Sequence, residues 1–358
     1  MTYLFNSLSQ ILSYGIAVVM TALIIITLQP IAKKIGLVDM PDNRKQHSGE
    51  IPLIGGVAMF IGFSLSLVTL KVPLSEMRSY LFAIILLMIM GVMDDYKELS
   101  VRSRFAIELV AATVLVSSGG IILYSLGDLF SLGNVHLKLW AIPFTVVCIV
   151  GLINAMNMSD GINGLAGGYS FVTFASLFYL SLSRPELLET KIIIIFMCVL
   201  IPFLVFNLQM FGKRTPLIFM GDAGSAFLGF SCAWLLIKLT QIETPIMQPV
   251  VALWIFALPL FDMFSIMLRR LLKRKSPFKP DNEHFHHLFV SAGVNKNLSL
   301  IVPLSIAVIF SVIGISMYKN GVPEYVSFGL FMFLFFIYFF VVKHVWKIMQ
   351  GQVRDKLS

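Results

Sequence analysis

The sequence predicts an all-α, polytopic membrane protein of about eleven transmembrane helices, with its N-terminus periplasmic and its C-terminus cytoplasmic. Three observations carry this expectation. The 358 residues are 58% hydrophobic and only 13% charged, whereas soluble domains carry about a quarter charged residues. The apolar residues fall in long runs, and residues 331–342 read FMFLFFIYFFVV, with one Tyr hydroxyl as the only polar break. Lys and Arg, finally, collect in every second loop.

A bilayer core is spanned by roughly 20 apolar residues in a helix, because a backbone in lipid must satisfy its own hydrogen bonds. The first run, 8–30, is too long for a cleaved signal segment, and neither a basic stretch before it nor a small-residue cleavage site after it supports one. The second, 51–70, contains Gly55–Gly56, a mark of close helix packing. The third, 79–93, is short and ends in Asp94–Asp95. The fourth, 105–126, holds Glu108 one turn after Arg104. The fifth (139–156) and sixth (165–182) flank the segment NAMNMSDGINGL. Asn207 ends the seventh, 192–208, and FMGDAGS opens the short eighth, 223–237. The ninth, 246–268, carries Asp262, and the tenth (298–317) and eleventh (322–342) complete the series. Cys148, Cys198 and Cys232 all lie inside runs, so neither a disulfide framework nor a zinc site is implied. No repeat or linker divides the chain, which reads as one membrane domain over 1–358.

The loops after odd-numbered runs, with their helix ends and the C-terminal tail, hold 20 of the 27 Lys and Arg residues. Basic residues gather on the cytoplasmic side, which sets the orientation. It also explains the net charge of +8 as topology, with no nucleic-acid module in evidence. The outward loops are short and plain, leaving no room for a catalytic domain outside.

The chemistry-bearing residues lie in the inward segments. Asp94 and Asp95 sit at the negative end of a helix dipole, a costly placement unless a cation such as Lys97 or Mg²⁺ is near. A solvated helix end is the plain alternative. Asn154, Asn157, Asp160 and Asn163 cluster with Gly161 and Gly164 in a loop without Lys or Arg. Asp160 alone would read as an N-cap, but the cluster suggests a ligand site. Gly221 and Gly224 flank Asp222 at a helix N-terminus, where free N–H groups suit phosphate and a carboxylate suits Mg²⁺. Asn207 enters the same loop and could instead bond a neighbouring helix.

The fifth inward loop opens with Arg269, Arg270 and further basic residues, suited to phosphates or to lipid headgroups. It continues to His284, His286 and His287, half of the chain's six histidines. Without cysteine or regular ligand spacing these suit phosphate or uracil oxygens better than zinc. Asp262 is an intramembrane carboxylate, functional by default or paired locally with Arg269 or Arg270. In the first inward loop, Asp39, Arg44, Lys45 and His47 could contact a diphosphate. Together these segments fit metal-assisted phosphoryl transfer at a membrane face.

Six blocks in order, LVDMPDNRKQHSGEIPLIGG, GVMDDYKELSVRSR, NAMNMSDGINGLAGG, FMGDAGS, PLFDM and SPFKPDNEHFHHL, give the chain a resemblance that covers nearly its whole length. It resembles the polyprenyl-phosphate N-acetylhexosamine-1-phosphate transferase family. Relatives acting on UDP-MurNAc-pentapeptide carry three consecutive histidines and then Phe-Glu, whereas His284-Phe285-His286-His287-Leu288 is similar to the GlcNAc type. The resemblance implies transfer of GlcNAc-1-phosphate from UDP-GlcNAc to undecaprenyl phosphate in a bacterial inner membrane, releasing UMP on the cytoplasmic side. The product would begin assembly of a cell-surface glycan. It implies Mg²⁺, or Mn²⁺ in its place, held by Asp222 with Asp94 and Asp95, and it is compatible with a homodimer.

Asp94, Asp95, Asp160, His284, His286 and His287 would be catalytic. Lys45, His47, Asn154, Asn157, Asn163, Asn207, Arg269 and Arg270 would bind substrate. Relatives usually read DGxDG where this chain has Asn163, so that position is assigned neither nucleophile nor base. Direct attack by the lipid phosphate and a route through an aspartyl phosphate both stay open. The rival classes are a related transferase for another UDP-N-acetylhexosamine and a transporter. A transporter places its ionisable residues near the bilayer midplane within repeated halves, whereas these lie at the inner rim. The DG-x-x-AR pattern of CDP-alcohol enzymes is absent, since Ile162-Asn163-Gly164-Leu165 follows Asp160-Gly161.

Overall fold

Each apolar run of the sequence contains a helix in the computed structural model, which describes residues 2–40, 49–208, 215–276, 285, 288 and 293–355. The helices are α1 (Thr2–Ile35), α2 (Gly55–Thr69), α3 (Leu74–Lys97), α4 (Val101–Ser117), α5 (Ala141–Ser159), α6 (Leu165–Ser181) and α7 (Leu188–Asn207). After them come α8 (Gly221–Gln241), α9 (Pro249–Ile255), α10 (Ala257–Leu272), α11 (Lys296–Lys319) and α12 (Glu324–Asp355). Among the described residues, seven helices are long and apolar enough to cross a membrane: α1, α3, α5, α7, α8, α11 and α12. The pair α9–α10 makes an eighth if counted as one span.

The differences from the expected eleven spans have local causes. The third and eighth runs, short in the sequence, become helices of 24 and 21 residues because polar residues at their ends are helical too. The fourth run was expected to reach residue 126, but α4 stops at Ser117. Ser118 caps it and Gly120 turns the chain at φ +67°. The residues beyond form an extended loop with a Ser125–His136 bridge, tied down by Gln241, whose Oε1 accepts the Tyr124 N–H. At 15 and 17 residues, α2 and α6 are shorter than a full span. The ninth run breaks at Phe256, where φ −108° and ψ 21° end α9 and turn α10 by 81°.

The centre of the bundle is α8, which packs on α2, α3, α5, α6 and α9 and is buried along almost its whole length. Helices in lipid gain little from the hydrophobic effect, so small residues that admit close backbone approach do the work. A Cβ on Gly56 would collide with the backbone of Gly224, and one on Gly91 with that of Ala223. Gly229 also lies against Ile153 and Met156 of α5, less tightly. Below these contacts Phe63, Phe174 and Phe196 stack, with centroids 4.5 and 4.7 Å apart, and Phe227 packs edge-on to Phe63.

Two short strands, β1 (Val38–Asp39) and β2 (Ile51–Pro52), pair antiparallel in the register Val38 to Pro52 and Asp39 to Ile51. Leu53 then runs parallel to Phe219. The Phe219 N–H donates to the Pro52 carbonyl at 2.9 Å, and the Gly55 N–H donates to the Phe219 carbonyl at 3.0 Å. The start of α2 is thereby stitched to the start of α8.

Candidate active site

The first turn of α8 gathers the site. Gly221 enters it at φ +74°, a conformation that favours glycine, and any Cβ there would strike the Asp95 carboxylate. Asp95 reaches over from the last turn of α3. Its Oδ1 accepts the Asp222 N–H at 2.8 Å and its Oδ2 the Ala223 N–H at 3.4 Å. These are orphan donors of a helix N-terminus, and an anion is the favoured partner for them.

Asp94, its neighbour, is buried and turns toward α4. Oδ1 accepts the Leu99 N–H at 2.6 Å, and Oδ2 lies 2.8 Å from Nη1 of Arg104. The local sequence explains why Arg104 returns here. Glu98 ends α3 in a left-handed conformation, and Ser100 caps α4 by accepting the Ser103 N–H at 3.1 Å. A turn this short brings the first turn of α4 back against the end of α3. The same Nη1 of Arg104 lies 3.9 Å from Oδ2 of Asp222.

Asp222 is fixed from the other side. Asn157 of α5 donates to its Oδ1 at 2.7 Å and to the Ser225 hydroxyl at 3.0 Å, leaving the Asn157 carbonyl oxygen for another partner. One turn earlier on α5, Asn154 donates to Oε2 of the buried Glu108 at 2.6 Å. Asp160 follows α5 and is close enough to feel the Asp222 charge. The residue keeps solvent contact. Protein packed about its carboxyl, with Asp222 adding to the effect, nevertheless pushes that group up to about 7.

Asn207, expected either to contact substrate or to bond a neighbouring element, makes bonds of the second kind. Its Oδ1 accepts the Gly164 N–H at 2.6 Å, and its Nδ2 donates to the Ile218 carbonyl at 2.9 Å. Both ends of the buried amide bracket the loop before α6 to the loop before α8. Asn163 is half-buried on the first of these loops, beside Gly164 at φ +79°.

On α10, Asp262 is buried and its Oδ1 accepts the Phe285 N–H at 3.0 Å and the Tyr338 hydroxyl at 3.2 Å. Arg269 and Arg270 are buried at the end of the same helix. Lys45, His47, His284, His286 and His287 lie outside the described residues. The pairing of β1 with β2 sets both ends of the segment carrying Lys45 and His47 beside the entry to α8.

The structure thus assembles Asp94, Asp95, Asn157, Asp160 and Asp222. Sequence reasoning assigned Arg104 no role there beyond its nearness to Glu108. Its signal was the short turn between two helices that places a cation opposite the Asp pair. Among the described residues no three His, Cys, Asp or Glu side chains form a ready metal cage. Asp94, Asp222 and the Asn157 carbonyl nonetheless offer hard oxygen donors, and Mg²⁺ is commonly held by one or two carboxylates with substrate phosphates completing the shell. The donor set fits such an ion. Asp95, assigned to the metal by the resemblance, spends an electron pair of each oxygen on α8.

Comparison with known proteins decides the family. Residues 77–240 match the family described as Glycosyl transferase family 4. The undecaprenyl-phosphate alpha-N-acetylglucosaminyl 1-phosphate transferase of Escherichia coli (strain K12) is 37% identical over 331 residues, covering 92% of this chain and 89% of the relative. The chain belongs to glycosyl transferase family 4. Proteins of the same name from Salmonella typhi (36% identical, 96% of this chain and 93% of the relative) and Haemophilus influenzae (37%, 93% and 94%) agree with it over the same extent. This is the family reached from the six sequence blocks. The matched region of the family runs from α3 to α8, which carry Asp94, Asp95, Asn157, Asp160 and Asp222.

Proposed function

We propose that this protein transfers GlcNAc-1-phosphate from UDP-GlcNAc to undecaprenyl phosphate, releasing UMP, at the cytoplasmic face of a bacterial inner membrane. The observation that carries the reading is the meeting of Asp94 and Asp222 beside Arg104, in a chain whose relatives, matched over nearly their whole length, bear the name of that reaction. The finer topology is part of the proposal: eleven membrane passages, with the shorter α2, α4 and α6 and the bent α9–α10 pair each counted as one, N-terminus periplasmic and C-terminus cytoplasmic, with the basic loops inside.

Asp222, Asp94 and the Asn157 carbonyl would hold Mg²⁺, with Mn²⁺ accepted in its place. An ion held by these residues would supply positive charge to offset the negative charge of the donor diphosphate. The protein's own groups do the positioning. Asn157 aims Asp222, and Asp95 clamps the α8 N-terminus from which Asp222 projects. Asp160, beside Asp222, would be a second polar anchor near the metal or the nucleotide. By the resemblance, His284, His286 and His287 with Arg270 would hold the diphosphate and steady the departing UMP, and Lys45 and His47 of the first inward loop would contact the diphosphate too.

The test is a donor panel. Purified protein with undecaprenyl phosphate and Mg²⁺ should release UMP from UDP-GlcNAc in preference to UDP-GalNAc and UDP-MurNAc-pentapeptide. Preference for the pentapeptide donor would overturn the donor assignment. Substrate flux into liposomes without UMP release would favour a transporter.

A further inference from the structure

One nitrogen of Arg104 serves two carboxylates. Nη1 is 2.8 Å from Asp94 and 3.9 Å from Asp222. Without a positive charge those two anions would repel each other. Asp94 has little else to offer a newcomer, since Leu99 holds its other oxygen. A guanidinium at this point and a divalent ion shared by Asp94 and Asp222 compete for the same oxygens. The neighbourhood also contains a place for the guanidinium to go. Glu108 lies one turn further along α4, on the face that carries Arg104. It is buried, it is held at Oε2 by Asn154, and its charge acts on Arg104.

We infer that Arg104 is a resident stand-in for the metal. It ties Asp94 to Asp222 in the metal-free protein, leaves that seat when a divalent cation arrives, and turns to Glu108. Arg104 and Glu108 are positioning residues in this scheme. It explains how a pocket with several carboxylates folds without its ion, and it makes cation entry an exchange of one positive charge for another. The inference rests on the proposed metal role of Asp94 and Asp222.

The experiment is Mn²⁺ binding, followed by electron paramagnetic resonance on the purified full-length protein in detergent, without nucleotide or lipid. R104Q should bind Mn²⁺ about tenfold more tightly than wild type, because no internal cation has to be displaced. R104K keeps the charge and should stay closer to wild type. E108Q removes the receiving carboxylate and should weaken binding severalfold. In the R104Q/E108Q double variant that loss should vanish, since there is no guanidinium to receive. Metal-free R104Q should also melt below wild type and recover more on adding Mn²⁺. Equal or weaker binding by R104Q, or the same E108Q loss with and without Arg104, overturns the exchange. Should R104Q fail to fold, E108Q binding with wild-type affinity would overturn it alone. If wild type binds no Mn²⁺ either alone or with UMP added, the metal reading itself falls; if wild type binds and the variants do not follow this pattern, only the exchange does.

Discussion

Asp95 caps a helix from far along the chain: its Oδ1 accepts the N–H of Asp222, 127 residues later, at 2.8 Å. A side-chain oxygen in this place satisfies a helix N–H that has no partner within its own helix. The Asp95→Ala variant should therefore unfold at lower temperature in detergent, with a loss of about 1–2 kcal/mol. UMP release should fall as well, because Asp222 is anchored to the same turn. Unchanged melting would mean that water replaces the cap at no cost.

Asn207 gives a second prediction. Replacing it with Ala leaves the Gly164 N–H and the Ile218 carbonyl buried without their partner, a loss of about 1–3 kcal/mol. Asn207→Asp keeps the acceptor for Gly164 but sets a buried carboxylate oxygen against the Ile218 carbonyl, so it should destabilise at least as much as Ala. Thermal melts of the three proteins check the order. If Asn207 contacted substrate and nothing else, KM for the donor would rise with no change in melting.

Removal of the metal donors should act on rate. Asp222→Asn, or wild type in EDTA, should lose about 10²-fold or more in kcat, since a bound ion supplies several kcal/mol of charge stabilisation. Mg²⁺ titration during UMP release measures both. Activity that persists through either treatment would refute the assigned role of Asp222.

The helix contacts can be probed with a methyl group. Gly56→Ala pushes a carbon into the Gly224 backbone and should destabilise the protein by about 1–3 kcal/mol. Gly329→Ala, on α12, meets nothing within 4 Å and serves as the control. Equal melting temperatures for the two variants would mean that α2 and α8 can slide apart freely.

The helices were legible because lipid imposes one rule on every span, and apolar runs record it directly. The Asp94–Asp95 pair, the Asn-rich loop and FMGDAGS were legible as polar residues that a membrane edge would not otherwise tolerate. What each one touches was not. Asp94 and Asp95 look alike in sequence, yet one faces Arg104 and the other a helix terminus, because adjacent positions on a helix point about 100° apart. The break at Phe256 left only Pro259 as a trace, a residue at home in the first turn of a new helix. The early stop of α4 was written in Ser118-Gly119-Gly120 but was outweighed by the apolar residues after it.

The stitching of α3 to α8 also bears on how the protein is made. Asp95 enters the membrane while the donors it binds are still unsynthesised, and α4, α5, α6 and α7 are all translated before Asp222 appears. Throughout that interval the half-built chain carries a carboxylate without its helix. A ribosome that stalls before α8 leaves an inserted product with no working centre, exposed to the proteases that survey incomplete membrane proteins.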